Sequence, residues 1–156
     1  MLRYTEVGLS EMEVPRKNSI CIYLSGCPCH CACCHYPALQ KTDTGLELRK
    51  YYRKILDLYQ NQAACVCFMG EGDGSPESRK ELTAYSSAAQ KRGLQTCLYS
   101  GRDTAIEPWM RAFDYVKVGS YQTDCGPLTV RTTNQRMYQR SGGRFVNITD
   151  LFWDGE

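Results

Sequence analysis

The segment "GCPCHCACCHYP" (26–37) concentrates five cysteines and two histidines in twelve residues. Thiol and imidazole side chains at such close spacing are typical of metal centres. The chain has ten cysteines in all. In an intracellular protein of this length, a tight cysteine cluster binds metal or takes part in chemistry more often than it forms a disulfide framework. Two ligand sets are compatible with the spacing.

The first ligand set is a structural zinc site, which usually combines two Cys-x-x-Cys pairs into a closed tetrahedron. Cys31 and Cys34 form one such pair. The sequence offers no obvious second pair, because Cys65 and Cys67 are separated by one residue in a predicted buried strand.

The second ligand set is Cys27, Cys31 and Cys34, a C-x3-C-x2-C arrangement in one loop. Three thiolates can hold three irons of a cubane cluster while the fourth iron has no protein ligand. An iron left open in this way can bind a small molecule, so this set predicts catalysis rather than a purely structural role.

The rest of the chain alternates between strand and helix patterns. Stretches with helical spacing cover 45–60 and 76–93, and a shorter candidate helix covers 104–113. The runs predicted as strands are short and apolar or β-branched, and each closes on Ser or Gly: 19–25, 64–70, 94–100 and 114–120. Beyond Pro127, "GPLTVR" and "GGRFVNIT" are candidate short strands.

This alternation predicts an α/β fold with a mostly parallel sheet, in a single domain of residues 1–156. A complete eight-stranded (β/α) barrel needs about 250 residues. The chain therefore predicts a small partial (β/α) barrel or a small open sheet. The site should lie at the carboxyl ends of the strands, which are Ser25-Gly26-Cys27, Gly70-Glu71-Gly72-Asp73, Ser100-Gly101-Arg102 and Gly119-Ser120.

The cysteine motif in the loop after the first predicted parallel strand resembles the radical S-adenosylmethionine superfamily. More widely, the chain is similar to the activating proteins of anaerobic (glycyl-radical, class III) ribonucleotide reductases. The similarity covers about residues 13 to 153. The segments that carry it are, in order, "EVP", "GCPCHCACCH", "CFMGEGDGSP", "LYSGR", "DYVKVGSY", "RTTNQRMY" and "ITDLFW".

The resemblance implies a [4Fe-4S] cluster on Cys27, Cys31 and Cys34, with S-adenosylmethionine bound at the open iron. Reductive cleavage of this cofactor gives a 5′-deoxyadenosyl radical, which takes a hydrogen atom from a glycine of the reductase. Such a radical needs a dry, shaped pocket. The implied partners are the large, glycyl-radical subunit of the anaerobic reductase and a flavodoxin-like or ferredoxin-like electron donor.

The resemblance also implies further cofactor-binding residues. Cys33 stands where the superfamily often has an aromatic residue against the adenine, which leaves only a backbone contact possible there. His35 follows the third ligand, and either Gly70-Glu71 or Gly72-Asp73 corresponds to the glycine-acid pair that holds the methionyl amine. Ser100 and Lys117 are candidate donors to the carboxylate or ribose. Cys29, Cys125 and the segment Asn134-Gln135-Arg136 have no assigned role.

Charge and hydropathy exclude other classes of function. Nineteen basic and seventeen acidic residues leave a formal charge of +2 without a basic block, so nucleic acid is not an expected partner. No run reaches the roughly 18 apolar residues of a membrane span, and the N-terminus lacks an export pattern, so we expect a cytoplasmic protein. Two alternatives stay open, an activase of another glycyl-radical enzyme and a non-catalytic zinc-binding adaptor.

Overall fold

The structure is a computed structural model that describes residues 1–26 and 45–153. Within these residues an eight-stranded sheet has the order β3-β1-β2-β4-β5-β6-β7-β8. Its strands are β1 (Arg3–Ser10), β2 (Ser19–Leu24), β3 (Leu46–Glu47), β4 (Cys65–Met69), β5 (Gln95–Tyr99), β6 (Tyr115–Val118), β7 (Arg136–Ser141) and β8 (Arg144–Asn147). The α-helices are α1 (Leu48–Tyr59) and α2 (Pro76–Lys91), and 3-10 turns cover Gln60–Gln62, Pro108–Ala112 and Thr149–Trp153.

The four strands predicted from apolar runs are confirmed as β2, β4, β5 and β6, which pair in parallel in the centre of the sheet. The two longer helices are also confirmed. The helix predicted in 104–113 is only a 3-10 turn, Pro108–Ala112. Of the two candidate strands beyond Pro127, "GGRFVNIT" contains β8, whereas "GPLTVR" forms no strand.

An α/β fold is therefore observed, but the prediction of a mostly parallel sheet was wrong. In the described residues, three strand pairings are parallel and four, at the two sides of the sheet, are antiparallel. Connection length accounts for two of the antiparallel pairings, because β1 and β2, and β7 and β8, are joined by segments too short for the crossover that parallel neighbours need. β7 and β8 are joined by Gly142 and Gly143, whose positive φ angles of 56° and 85° suit a two-residue hairpin.

The two faces of the sheet are covered differently. On one face, Ile22, Phe68 and Leu98 belong to a core that includes Tyr52 of α1 and Leu82 of α2. The other face carries Cys21, Tyr23, Cys65, Cys67, Cys97, Tyr115 and Met137, and Val14, Ile148 and Phe152 pack with them. All six side chains of β2 are buried, as expected for a central strand with both faces covered.

Three of the thiols on that second face are in register across adjacent strands. Cys21 pairs with Cys67, and Cys67 pairs with Cys97. Burial raises the pKa of the Cys67 and Cys97 thiols, and it raises the pKa of Cys65 to about 12. A hydrogen bond with Cys67, together with burial, raises the pKa of Cys21. In this environment the strand cysteines act as small buried hydrophobes.

We expect these four strand cysteines to resist alkylation in the folded protein, because the attacking species is the exposed thiolate. Among the cysteines that the structure describes, Cys125 is partly exposed and should react first. Mass spectrometry of iodoacetamide-treated protein, before and after unfolding in guanidinium chloride, measures the alkylation of each cysteine. Equal rates for Cys67 and Cys125 in the folded protein would contradict the described packing.

Candidate functional site

The parallel strands bring four chain segments to one edge of the sheet, which we call the carboxyl edge. These segments begin after Leu24 of β2, Met69 of β4, Tyr99 of β5 and Val118 of β6. The cysteine-rich segment follows β2, and β2 lies directly beside β4. The predicted residues Cys27, Cys31, Cys33, Cys34 and His35 lie outside the described residues. The other predicted site residues, Gly70, Glu71, Gly72, Asp73, Ser100 and Lys117, all belong to this edge.

The loop after β4 is a tight turn that depends on its glycines. Gly70 has a φ of 115°, and its N–H donates to the Tyr99 carbonyl at 2.9 Å. Gly72 has a φ of 64° and is buried, and a Cβ atom added there would lie 2.5 Å from Cδ2 of Leu2. Both positions therefore require a glycine, Gly70 for its backbone angle and Gly72 also for lack of space.

The two acids of this loop have different environments. Asp73 is exposed, and its Oδ1 accepts hydrogen bonds from the Ser75 N–H at 3.0 Å and the Ser78 hydroxyl at 2.7 Å. These bonds, led by the one from Ser78, lower the pKa of Asp73 to about 2. Ser75 is the N-cap of α2, so Asp73 supports the start of that helix.

Glu71 is buried, and its carboxylate has protein partners on both oxygens. The Arg102 guanidinium donates from Nε to Oε2 and from Nη2 to Oε1, both at 2.9 Å. The hydroxyl of the buried Ser100 donates to Oε2 in a short hydrogen bond. A two-point guanidinium contact of this kind fixes orientation as well as charge. Glu71 thus ties the loop after β4 to the loop after β5.

Arg102 continues this network to a second carboxylate. Its Nη1 and Nη2 donate to Glu107, whose Oε1 also accepts from the Trp109 indole at 2.9 Å. Hydrogen bonding from Arg102 lowers the pKa of Glu107 to about 2. The Arg79 guanidinium of α2 lies 5.3 Å from the Trp109 ring centroid and 4.0 Å from both carboxylates. The positive charges of two arginines in this network therefore balance the negative charges of its two glutamates.

Lys117 lies on the opposite face from this ion network. It is buried, its ammonium donates to the Gly119 carbonyl at 3.0 Å, and it lies 5.3 Å from the centroid of the Tyr99 ring. Tyr99 in turn donates a short hydrogen bond to the Glu13 carbonyl in the connection between β1 and β2. The buried cation is thus held at the carboxyl end of the thiol-bearing face.

The loops after β5 and β6 are also joined through side chains. Asp103 accepts from the Ser120 N–H and the Ser120 hydroxyl, both at 2.9 Å. The Asn134 amide donates to the Ser120 carbonyl at 2.9 Å. Gln135 packs so closely on Gly119 that an added Cβ atom would lie 3.0 Å from its Cα. The segment without an assigned role therefore packs against the end of β6.

The described residues contain no group of three or more potential ligands that could hold a metal ion. The buried strand cysteines have raised pKa values and stay protonated, which makes them poor ligands. Cys125 lies elsewhere, with its Sγ 3.7 Å from the Gln122 amide oxygen. None of the helices in the described part of the chain is long and apolar enough to cross a membrane.

Sequence reasoning missed Arg102, Asp103 and Glu107 as site residues. Arg102 was noted only as part of a strand end. A signal was present, because an Arg-Asp pair directly after a buried strand falls at the same edge as the acid of a neighbouring loop. Residues of opposite charge that are expected at the same edge of a parallel sheet are therefore candidates for an ion pair.

Comparison of the chain with protein-family models, with curated proteins and with solved structures finds no match. The family resemblance therefore depends on the sequence segments themselves.

Gly72 and Gly74 form a matched pair for testing the loop after β4. Gly74 has a φ of 74° but has no atom within 4 Å of an added Cβ. We expect Gly74→Ala to destabilise the protein by about 1 kcal/mol through backbone strain alone. Gly72→Ala should cost about 2 kcal/mol or more because it also displaces Leu2. Urea unfolding measures the free energy of unfolding of both variants. Equal decreases would show that displacement of Leu2 adds no cost at position 72.

Asp73→Ala should destabilise the protein by about 1 kcal/mol at pH 7 through loss of its hydrogen bonds. The pKa of Asp73 is about 2 in the folded protein, against an ordinary value of 3.8. Its stabilising effect is therefore complete above about pH 4 and is lost as the pH falls toward 2. Denaturant unfolding at several pH values measures the difference, with Asp124→Asn as an exposed control. A difference that stayed constant down to pH 2 would contradict this role.

Proposed function

We propose that this protein is a radical S-adenosylmethionine enzyme that activates anaerobic ribonucleotide reductase. The observation that carries the proposal is the C-x3-C-x2-C segment that follows β2 in sequence, since β2 is the neighbour of β4 and the glycine-rich loop follows β4. In this proposal Cys27, Cys31 and Cys34 hold a [4Fe-4S] cluster, and the parallel strands β2, β4, β5 and β6 form the partial (β/α) barrel.

The C-x3-C-x2-C spacing supports a cluster with one open iron. Fe–S clusters are held by thiolates, and the segment supplies three at the required spacing. A closed zinc site would need a fourth ligand. The described strand cysteines are buried in the second face of the sheet and protonated, so a fourth zinc ligand would have to come from the other cysteines and histidines of the segment itself.

The cluster would supply one electron to S-adenosylmethionine, which gives methionine and a 5′-deoxyadenosyl radical that takes a hydrogen atom from a glycine of the partner. The residues of the chain would bind and orient the cofactor. Because Glu71 is already paired with Arg102 and Ser100, the methionyl amine would contact backbone carbonyls of residues 70–72. Lys117 is suited to an anionic group, such as the methionyl carboxylate, at the end of its strand.

The substrate is proposed to be a protein because the described residues form no layer of α-helices on the face of the sheet away from α1 and α2. On the face away from the helices, Val14, Ile148 and Phe152 come from connecting segments rather than from a further layer of regular structure. A partner surface would then close the site against water, as radical chemistry requires.

The direct test combines anaerobically reconstituted protein, reductant, S-adenosylmethionine and the glycyl-radical subunit of an anaerobic ribonucleotide reductase. We expect a glycine-centred radical signal by electron paramagnetic resonance and one 5′-deoxyadenosine for each radical formed. Deoxyadenosine without that signal would remove the reductase as substrate and favour another glycyl-radical enzyme. A colourless protein that binds zinc and no sulfide would favour the adaptor.

Cys31→Ala should abolish both iron-sulfur incorporation and 5′-deoxyadenosine formation, because two thiolates cannot hold the cluster with one iron open. Cys125→Ala is the matched control, since Cys125 lies outside the cysteine-rich segment and contacts Gln122. Iron analysis and chromatography of the reaction products measure the two effects. Unchanged iron content in Cys31→Ala would overturn the ligand assignment.

A further inference from the structure

We infer that Arg102 and Asp103 are positioning residues that fix the cofactor-binding loops on either side of them. The inference rests on the proposed function, since it concerns how the same edge binds S-adenosylmethionine. It depends on the geometry of two neighbouring residues whose side chains join different loops.

Arg102 joins the loop after β5 to the loop after β4. Its two hydrogen bonds to Glu71 are parallel and charge-assisted, and the Glu71 side chain is only 6% exposed. The Glu71 carbonyl accepts the Gly74 N–H at 3.2 Å, so the same residue also belongs to the turn that leads into α2. Arg102 therefore holds the turn of residues 70–74, which includes the backbone carbonyls of residues 70–72 that are proposed to contact the methionyl amine.

Asp103 joins the loop after β5 to the loop after β6. Both of its oxygens bind Ser120, one through the backbone N–H and the other through the hydroxyl. The Arg102 carbonyl accepts the Gly119 N–H at 2.8 Å, which extends the contact by one further bond. Ser120 is also held from the other side by the Asn134 amide. Asp103 thus fixes the strand end that carries Lys117.

The consequence is one continuous chain of contacts along the carboxyl edge, from the loop after β4 through Arg102 and Asp103 to Ser120 and Asn134. Neither Arg102 nor Asp103 needs to touch the cofactor. Preorganised loops bind a ligand more tightly because less order must be imposed on binding. Loosening either contact should therefore weaken cofactor binding while the cluster stays intact.

The test measures cofactor affinity separately from cluster content. S-adenosylmethionine is titrated into the reduced, reconstituted protein, and the change in the electron paramagnetic resonance spectrum of the cluster gives the dissociation constant. Arg102→Lys keeps the charge but loses the two-point contact. We expect it to raise the dissociation constant by about tenfold or more with iron content unchanged.

Arg92→Lys is the matched control. Arg92 also pairs with a carboxylate, Asp57 at 2.6 Å, and its side chain is 27% exposed against 29% for Arg102. Arg92 lies at the end of α2, at the edge of the sheet opposite to the loops. The dissociation constant of the Arg92→Lys protein for S-adenosylmethionine should therefore match that of the unsubstituted protein. An Arg102→Lys protein with wild-type affinity would overturn the role of Arg102.

Asp103 supplies a second test that does not risk the fold, because its side chain is exposed. Asp103→Ala should weaken cofactor binding, and Asp103→Asn, which keeps one acceptor for Ser120, should restore part of the affinity. Equal affinities in these two variants and the unsubstituted protein would overturn the role of Asp103. An unsubstituted protein that binds iron and sulfide but shows no spectral response to S-adenosylmethionine would overturn the proposed function instead, and with it this inference.

Discussion

The parallel pairing of β2, β4, β5 and β6 is the constraint on which the rest of the structure depends. Parallel strands point the same way, so the segments that follow them meet at one edge. In this protein those segments are the start of the cysteine-rich stretch, a glycine-rich turn, the Ser-Gly-Arg-Asp loop and Gly119-Ser120. The antiparallel strands on either side widen the sheet.

Ion pairing between side chains then holds the loops at this edge together. Glu71 is a buried acid that would destabilise the fold if it were left alone, and its contact with Arg102 provides the compensating charge. Asp73, two residues later, is exposed and supports the start of α2. The two acids of one short loop thus have different tasks, which follow from burial and from the partners within reach.

The cysteines also fall into two groups, those in the strands and those in the cysteine-rich segment. Four of the ten cysteines are packed in the second face of the sheet, where burial keeps them protonated. The proposed cluster-binding role is therefore assigned to the cysteine-rich segment, because a buried thiol that has not lost its proton is a poor ligand. Cysteine count alone does not distinguish these groups, whereas placement in apolar strand patterns does.

The strands and helices with strong local patterns could be predicted from the sequence. Continuous apolar runs identified the four parallel strands, and Ser75-Pro76 and Gly93 identified the ends of α2. The outer strands could not be predicted in the same way, since β1 reads "RYTEVGLS", with polar residues and partial exposure. Arg102 and Asp103 were missed because their partners are 31 and 17 residues away in sequence, a separation that only the fold brings together.

Mössbauer spectroscopy of protein reconstituted with ⁵⁷Fe, recorded with and without S-adenosylmethionine, distinguishes a cluster with one open iron from a fully ligated one. We expect a [4Fe-4S] spectrum in which one iron of the four changes its isomer shift when the cofactor is added, since only that iron lacks a cysteine ligand. A spectrum in which all four irons are unaffected would rule out binding of the cofactor at an open iron.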